Sequence, residues 1–185
     1  MFETDRLILR PWADSDAADL FEYAQDPRIG PRAGWPVHTN VEESRQIIRD
    51  VLSAPETYAI VWKETGRVIG DAALKFHSDL ATKDDECELG YWLGAPYWGR
   101  GIMPEAAAVL IRHAFADLEL SRIWCGYYDD NVQSRRVQEK CGFRYQWTTE
   151  RVEVPLMHEV RTGYVSCLTR EEWLANQSRG PGETA

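Results

Sequence analysis

A short glycine-rich loop that leads directly into a helix is the feature that most constrains this chain. Residues 98–101 (Trp-Gly-Arg-Gly) lie between the strand-like run 87–93 and the strongest helical pattern in the sequence. Pro104 falls in the first turn of that helix, where proline is tolerated. Backbone N–H groups of such a loop and the positive end of the helix dipole converge on one point. Because this arrangement suits phosphate groups, the sequence predicts a ligand that carries a phosphate or pyrophosphate.

Composition excludes several other classes of protein. The chain has 185 residues, of which 44% are hydrophobic, so we predict one domain over residues 1–175 and a flexible tail over 176–185. A net charge of −9 argues against a nucleic-acid partner. No apolar run reaches membrane-spanning length, and the N-terminus does not resemble a secretory signal. The four cysteines are widely spaced, which predicts free thiols in the cytoplasm and no metal site.

Hydrophobic periodicity predicts an α+β fold. We predict strands at 6–12, 58–62, 68–76, 87–93, 122–128, 143–154 and 159–168. Helices are predicted from Asp14 or Ser15 to Ala24, after Asn40, through about 102–118, from Ser134 to Cys141, and briefly after Thr169. Residues 30–38 are expected to form a loop. This order predicts a mixed, mostly antiparallel twisted sheet with one parallel crossover, flanked by helices.

The loop sequence narrows the choice of phosphate ligand. A nucleotide P-loop ends in Gly-Lys-Ser/Thr, which is absent from residues 98–103. A dinucleotide fingerprint needs a third glycine where this chain has Met103. Coenzyme A remains, because its pyrophosphate suits the loop and its pantetheine amides can pair with an opened strand edge.

Four motifs in order resemble those of the GNAT N-acetyltransferase superfamily. Residues 87–93 (Cys-Glu-Leu-Gly-Tyr-Trp-Leu) with 98–102 are similar to its acyl-CoA motif, and residues 131–143 resemble its downstream motif. The two ends, 4–11 and 168–173, resemble the branch of ribosomal-protein-alanine N-acetyltransferases. The resemblance spans residues 4 to about 173. It implies the GNAT fold, with the sheet splayed near Trp92 and Leu93 at the acyl-CoA site.

The same resemblance implies direct transfer of acetyl from acetyl-CoA to a primary amine. Glu88 is then the candidate general base, directly or through water, although a solvated strand carboxylate is the plain alternative. Ser134 matches the position proposed to protonate the departing thiolate, and its alternative is a helix N-cap. Tyr127 and Tyr128 point to opposite faces of a strand, and Tyr128 is a second candidate acid.

Positions that match the two motifs are expected to bind the cofactor. These are Trp92, Leu93, Trp98, Gly99, Arg100, Gly101, Ile102, Met103, Asn131, Arg135, Arg136 and Lys140. Trp98 stands where the family has Gln or Arg, so a side-chain contact to phosphate is not expected there. Asn131 could instead be an ordinary turn residue, and the four basic residues a solvated helix face.

The acceptor side is less well defined by the sequence. Trp35 and His38 lie in the loop at 30–38. The stretch from Trp35 to His38 could wall the acceptor channel or simply cover the core, and His38 is an alternative base. Tyr91 is a further candidate for contact with the substrate. The acceptor itself is open: a protein N-terminal α-amine, a small molecule such as an antibiotic, polyamine or metabolite, or none in a non-catalytic acyl-CoA-binding module. Eight tryptophans make a homodimer plausible.

Overall fold

An eight-stranded sheet organises the computed structural model, which describes residues 1–178. The strand order is β1-β2-β3-β4-β5-β6-β8-β7. The strands are Phe2–Glu3 (β1), Leu7–Arg10 (β2), Thr57–Trp62 (β3), Arg67–Lys75 (β4), Glu86–Leu93 (β5), Arg122–Tyr128 (β6), Arg144–Val154 (β7) and Glu159–Thr169 (β8). Among these strands every neighbouring pair is antiparallel except β5 with β6. The predicted α+β class and single parallel crossover are therefore confirmed.

Six α-helices flank this sheet in the part of the chain that the structure describes. They are Ala17–Ala24 (α1), Gly30–Ala33 (α2), Val41–Ile47 (α3), Ile102–Arg112 (α4), Val132–Lys140 (α5) and Arg170–Ser178 (α6). Wider π-type turns extend α3 through Ile48–Leu52 and α4 through His113–Asp117. Over residues 1–178, no helix combines the length and apolar composition needed to cross a membrane.

Two hydrophobic clusters cover one face of the sheet, and α4 covers the other. On the α4 face, Leu110, Ala114 and Phe115 are fully buried against β4, β5 and β6, as their helical spacing predicts. On the opposite face, one cluster packs under α1 and Ile48, and a smaller one surrounds Trp124. Between these two clusters, on the same face, lie the middle residues of β5 and β6.

Strands β5 and β6 separate earlier than the sequence predicts. Their pairing stops after Glu88 and Trp124, rather than near Trp92 and Leu93. Continuing the same register would place Gly90 opposite Gly126, so glycines border the opening on both strands. Gly90 is half-buried and Gly126 is exposed. The opening therefore has little side-chain bulk on the face away from α4.

Local capping explains where α5 begins and ends. The sequence offers Ser134 as its N-cap, but the helix starts two residues earlier, and Asn131 Oδ1 accepts a 3.1 Å hydrogen bond from the Ser134 N–H. At the other end, Gly142 has φ 87° and the Phe143 N–H donates to the Gln138 carbonyl, which completes a Schellman motif. The capping role that competed with a catalytic role for Ser134 therefore belongs to Asn131.

Three other elements differ from the sequence prediction. The predicted loop at 30–38 contains the one-turn helix α2, which begins with a glycine and a proline. Neither Asp14 nor Ser15 caps α1, because both belong to a 3-10 turn that precedes the helix. In that turn the Asp16 carboxylate accepts a hydrogen bond from the Ala13 N–H. The predicted tail begins within a helix, since 176–178 form the end of α6. Its remaining residues, 179–185, lie outside the described residues.

Candidate active site

A cleft of about 360 Å³ opens where β5 leaves β6. Its walls come from the end of β5, the glycine loop, the first turn of α4, α5 and the α2 segment. Ten of the twelve residues expected to bind the cofactor line it: Trp92, Leu93, Trp98, Gly99, Gly101, Ile102, Met103, Asn131, Arg136 and Lys140. The fold thus brings together motifs that are more than 25 residues apart in the sequence.

The glycine loop presents backbone donors rather than side chains to this cleft. Gly99 and Gly101 both lie in the left-handed region, with φ of 74° and 73°. Gly101 is the N-cap residue of α4 and supplies no side-chain cap, so the first N–H groups of the helix remain available to a ligand. A Cβ at Gly99 would have no other protein atom within 4 Å, so the space beside the loop is open. This arrangement fits a phosphate group.

Trp98 supports the glycine loop through protein contacts, and its side chain was not expected to contact phosphate. Its indole N–H donates a 2.8 Å hydrogen bond to the Leu93 carbonyl, and its ring lies 5.9 Å from the Arg28 guanidinium carbon. Met103, the second departure from the family pattern, is 4% exposed and packs into the main core. Both large side chains therefore support the loop from inside the protein while retaining a place in the cleft wall.

Positive charge reaches the cleft from two directions. Arg136 and Lys140 on α5 line it, as do Arg28 and Arg32, which sequence reasoning missed. The signal for these two was their position beside the prolines at 27 and 31, just before the predicted acceptor wall at Trp35 and His38. Arg32 also donates a 3.1 Å hydrogen bond to Gln133, which ties the α2 segment to α5. Arg28 forms a 2.6 Å ion pair with Asp26, so Arg32, Arg136 and Lys140 are the cationic side chains best placed for a multiply charged phosphate ligand.

Two predicted basic contacts are directed elsewhere. The guanidinium of Arg100 lies 5.0 Å from the Trp62 ring centroid and 5.6 Å from that of Tyr97. Arg135 forms a 2.8 Å ion pair with Glu139 on the surface of α5. Neither residue lines the cleft that residues 1–178 define.

The ladder between β4 and β5 determines which backbone groups face the opening. Gly94 donates to the Ile69 carbonyl at 2.8 Å, so the alternation of an antiparallel pair directs the peptide groups of Tyr91 and Leu93 away from β4. The 3.2 Å contact of the Cys125 thiol with the Leu89 carbonyl shows the same orientation two residues earlier. The N–H groups of Tyr91 and Leu93 thus point toward the gap, where an acyl oxygen could accept from them.

A buried polar network holds Ser134 at the wall of the cleft. Its hydroxyl lies 3.0 Å from Tyr91 Oη and 3.3 Å from Gln138 Nε2, and Tyr91 Oη also donates to the Ser134 carbonyl at 3.1 Å. Burial raises the pKa of Tyr91 well above its usual value, which keeps the phenol protonated. Gln138 is 2% exposed and its Oε1 has no partner among residues 1–178. The sequence gives no signal for this network, because its central contact joins Tyr91 and Ser134, which are 43 positions apart.

Glu88 and Tyr128 lie on the other face of the opening. Neither lines the cleft as residues 1–178 define it, and both belong to the open strip that contains Gly90 and Gly126. Burial raises the pKa of Tyr128, although the Arg161 guanidinium, 5.3 Å from its ring centroid, opposes that shift. The two glycines therefore separate the basic cleft from a surface that carries a carboxylate and a phenol.

Trp35 and His38 pack into the protein next to Trp92. The Trp35 ring lies 6.2 Å from that of Trp92 and 5.4 Å from His38, whose Nδ1 is 2.8 Å from Ser44 Oγ. His38 is 8% exposed, and burial lowers its pKa, so the imidazole is neutral near pH 7. Of the three predicted substrate contacts, only Tyr91 reaches the cleft among the residues that the structure describes.

Comparison with known proteins gives the family of this chain. Residues 6–144 match the acetyltransferase (GNAT) domain. An uncharacterised N-acetyltransferase, p20 of Bacillus licheniformis, is 30% identical over 146 residues, which covers 76% of this chain and 80% of the relative.

Solved structures share the fold at lower sequence identity. The ribosomal-protein-S5-alanine acetyltransferase of Vibrio fischeri superimposes with a TM-score of 0.73 at 21% identity, covering 93% of this chain and 97% of its own. The microcin C7 self-immunity acetyltransferase MccE, solved with acetyl-CoA and AMP, gives 0.75 at 20% identity, covering 90% and 93%. The domain match and the relative agree, and this chain belongs to the GNAT acetyltransferase family.

Proposed function

We propose that this enzyme transfers an acetyl group directly from acetyl-CoA to a primary amine through the opening between β5 and β6. The observation that carries the proposal is that the opening has two different sides. A basic cleft with a phosphate loop lies on one side, and Glu88 lies on the other. Donor and acceptor can therefore meet at the glycines without sharing a binding surface.

The cleft offers a complementary group for each part of acetyl-CoA. The pyrophosphate fits the N–H groups of the glycine loop, with Arg136 and Lys140 at the same wall. Pantetheine amides can pair with the free edge of β5. Asn131 uses its Oδ1 to cap α5, which leaves its amide N–H₂ for a pantetheine carbonyl.

In the proposed reaction, Glu88 accepts a proton from the ammonium group of the acceptor, directly or through water. The amine lone pair then attacks the thioester carbonyl carbon, and the N–H groups of Tyr91 and Leu93 stabilise the oxyanion that forms. Collapse of this tetrahedral species breaks the C–S bond. Ser134, oriented by Tyr91 and Gln138, gives its proton to the departing thiolate and takes up, through water, the second proton that the acceptor nitrogen loses as the neutral amide forms.

The acceptor is proposed to be a protein N-terminal α-amine. Such an amine has a pKa near 8, against about 10.4 for a lysine side chain, so one carboxylate suffices to deprotonate it. Similarity to a ribosomal-protein acetyltransferase favours a ribosomal protein. The similarity to MccE favours a small-molecule acceptor, which is the second candidate. The four free cysteines, three of them buried, fit a reducing cytoplasm as the place of action.

An acetylation assay with matched carboxylate variants tests this proposal. Purified ribosomal proteins, N-terminal peptides and a panel of small amines are each offered with acetyl-CoA. We expect Glu88→Gln to lower kcat by about 10- to 100-fold and to change the pH–rate profile on its acidic side, where a general base is protonated, with acetyl-CoA affinity retained. Glu153→Gln, an exposed strand carboxylate on β7, is the control. An unchanged pH–rate profile in Glu88→Gln would remove Glu88 from the mechanism.

A further inference from the structure

Lys75 places its ammonium group over the opening on the acceptor side. It is the last residue of β4 and pairs with Glu88 on β5. Its side chain extends from β4 across to Gly90 on β5. The space that a Cβ at Gly90 would fill is only 2.9 Å from Lys75 Cε and 3.1 Å from its Nζ. The amine is thus held next to the glycine that borders the gap.

The electrostatic neighbourhood agrees with this position. Burial raises the pKa of Asp71 to about 7, and the Lys75 ammonium opposes that shift. Burial also raises the pKa of the Cys125 thiol, and Lys75 again acts in the opposite direction. Asp71 is on β4 and Cys125 is on β6. The positive charge of Lys75 therefore lowers the pKa of groups on the strands that lie on either side of β5. Glu88 is the titratable group opposite it on β5.

Lys75 is also free to react. Within residues 1–178 it forms no ion pair shorter than 4 Å, whereas Lys63 pairs with Glu3 and Lys83 with Glu86. Its side chain is exposed. An exposed, unpaired amine on the residue that pairs with Glu88, at the proposed thioester site, has the features of an acceptor.

We propose that Lys75 is a site of self-acetylation, an inference that rests on the proposed function. In this step Glu88 takes the ammonium proton, the Nζ lone pair attacks the thioester carbonyl carbon, and an N–C bond forms as the C–S bond breaks. CoA leaves as thiolate, and the second proton of Nζ passes to it through Ser134 or water, which leaves a neutral amide and the CoA thiol. The product is a neutral acetyl-lysine at the acceptor entrance, which removes one positive charge from that surface.

Site-resolved mass spectrometry tests the proposal. The folded protein is incubated with acetyl-CoA and no added amine, and acetylation of Lys75 is followed against that of Lys83, which is exposed but lies outside the site. Because proximity accelerates an intramolecular reaction, we expect Lys75 to react at least about tenfold faster than Lys83. Its rate constant should not change on tenfold dilution of the protein. Excess CoA should suppress Lys75 acetylation only.

Two variants separate enzymatic from chemical acetylation. Glu88→Gln should slow acetylation of Lys75 and leave Lys83 unchanged. Gly90→Ala should slow Lys75 as well, because the added methyl group displaces the flexible end of its side chain at little cost to the fold. Equal rates at Lys75 and Lys83, or the same rates in urea-unfolded protein, would overturn the inference.

An external amine distinguishes failure of this inference from failure of the proposed function. If wild-type protein acetylates an added amine while Lys75 stays unmodified with acetyl-CoA alone, self-acetylation is refuted and the proposed function stands. If neither an added amine nor Lys75 accepts acetyl, both are refuted. Lys75→Arg keeps the charge but offers no acceptor amine, so residual modification of its peptide would also contradict the assignment to Lys75.

Discussion

The Trp98 indole N–H donates a 2.8 Å hydrogen bond to the carbonyl of Leu93. This bond joins the glycine loop to the edge of β5 that has separated from β6. Leu93 directs its carbonyl away from β4, so Trp98 takes a group that no strand partner would satisfy. The bond therefore sets the distance between the two parts of the cleft that are proposed to hold pyrophosphate and pantetheine.

Loss of this bond should weaken donor binding without unfolding the protein. Trp98→Phe retains most of the ring packing but removes the indole N–H. A hydrogen bond of this kind is worth about 1 kcal/mol, so we predict that the Kd for acetyl-CoA rises about fivefold. Calorimetric titration measures the change. An unaltered Kd would show that the loop does not depend on Trp98 for its position.

Lysine and arginine side chains near the loop should contribute unequally to acetyl-CoA binding. Lys140→Ala removes a charge from the cleft wall, whereas Arg100→Ala removes one that stacks on Trp62 and Tyr97. We predict a Kd increase of about tenfold for Lys140→Ala and less than about twofold for Arg100→Ala at low salt. The difference should shrink as salt screens the phosphate contact. Equal losses would place the Arg100 side chain at the phosphates instead.

Ser134 and Tyr128 are competing candidates for the acid that protonates the thiolate. Ser134 lies in the cleft wall, while Tyr128 lies on the acceptor face and burial raises its pKa. We predict that Ser134→Ala lowers kcat about 10- to 100-fold with little change in KM for acetyl-CoA, and that Tyr128→Phe has a much smaller effect. Steady-state kinetics of both variants decide between them. The reverse order of effects would assign the role to Tyr128.

A buried carboxyl group should make stability depend on pH. Asp71 is 6% exposed, accepts a 2.7 Å hydrogen bond from Trp12 Nε1, and has its pKa raised by burial from 3.8 to about 7. Because the folded state holds this proton more tightly, its contribution is favourable below pH 3.8 and is lost as pH rises to about 7.

The isosteric variant Asp71→Asn should remove this pH dependence. Relative to wild type, it should gain on the order of 2–3 kcal/mol of unfolding free energy between pH 4.5 and pH 8, measured by urea denaturation. Asp79→Asn, at an exposed position in a loop, is the control and should show no such gain. A wild-type stability that does not fall over this range relative to Asp71→Asn would contradict a raised pKa.

Local signals made much of the fold predictable. The turn at Gly66, the apolar face of α4 and the hairpin of β7 and β8 all follow from periodicity and turn residues within one segment. The glycine loop was equally local, since the backbone donors proposed to hold phosphate immediately precede a helix.

Features that depend on distant contacts were not predictable in the same way. The preference for Asn131 over Ser134 as N-cap depends on where the turn after β6 ends. Arg28 and Arg32 reach the cleft because the segment around α2 lies against β6 and Arg32 donates to Gln133 on α5. Arg100 misses the cleft because two aromatic rings lie within reach. The opening at Gly90 and Gly126 requires the register of two strands that are more than 30 residues apart.

Calorimetric titration with acetyl-CoA tests the central claim most directly, with ATP as the comparison. Binding of one acetyl-CoA per chain with a Kd in the micromolar range, about −8 kcal/mol, and at least about tenfold weaker binding of ATP, is the result that the proposed donor site predicts. Absence of acetyl-CoA binding, or equal affinity for ATP, would contradict the assignment of the cleft between β5 and β6 as the donor site.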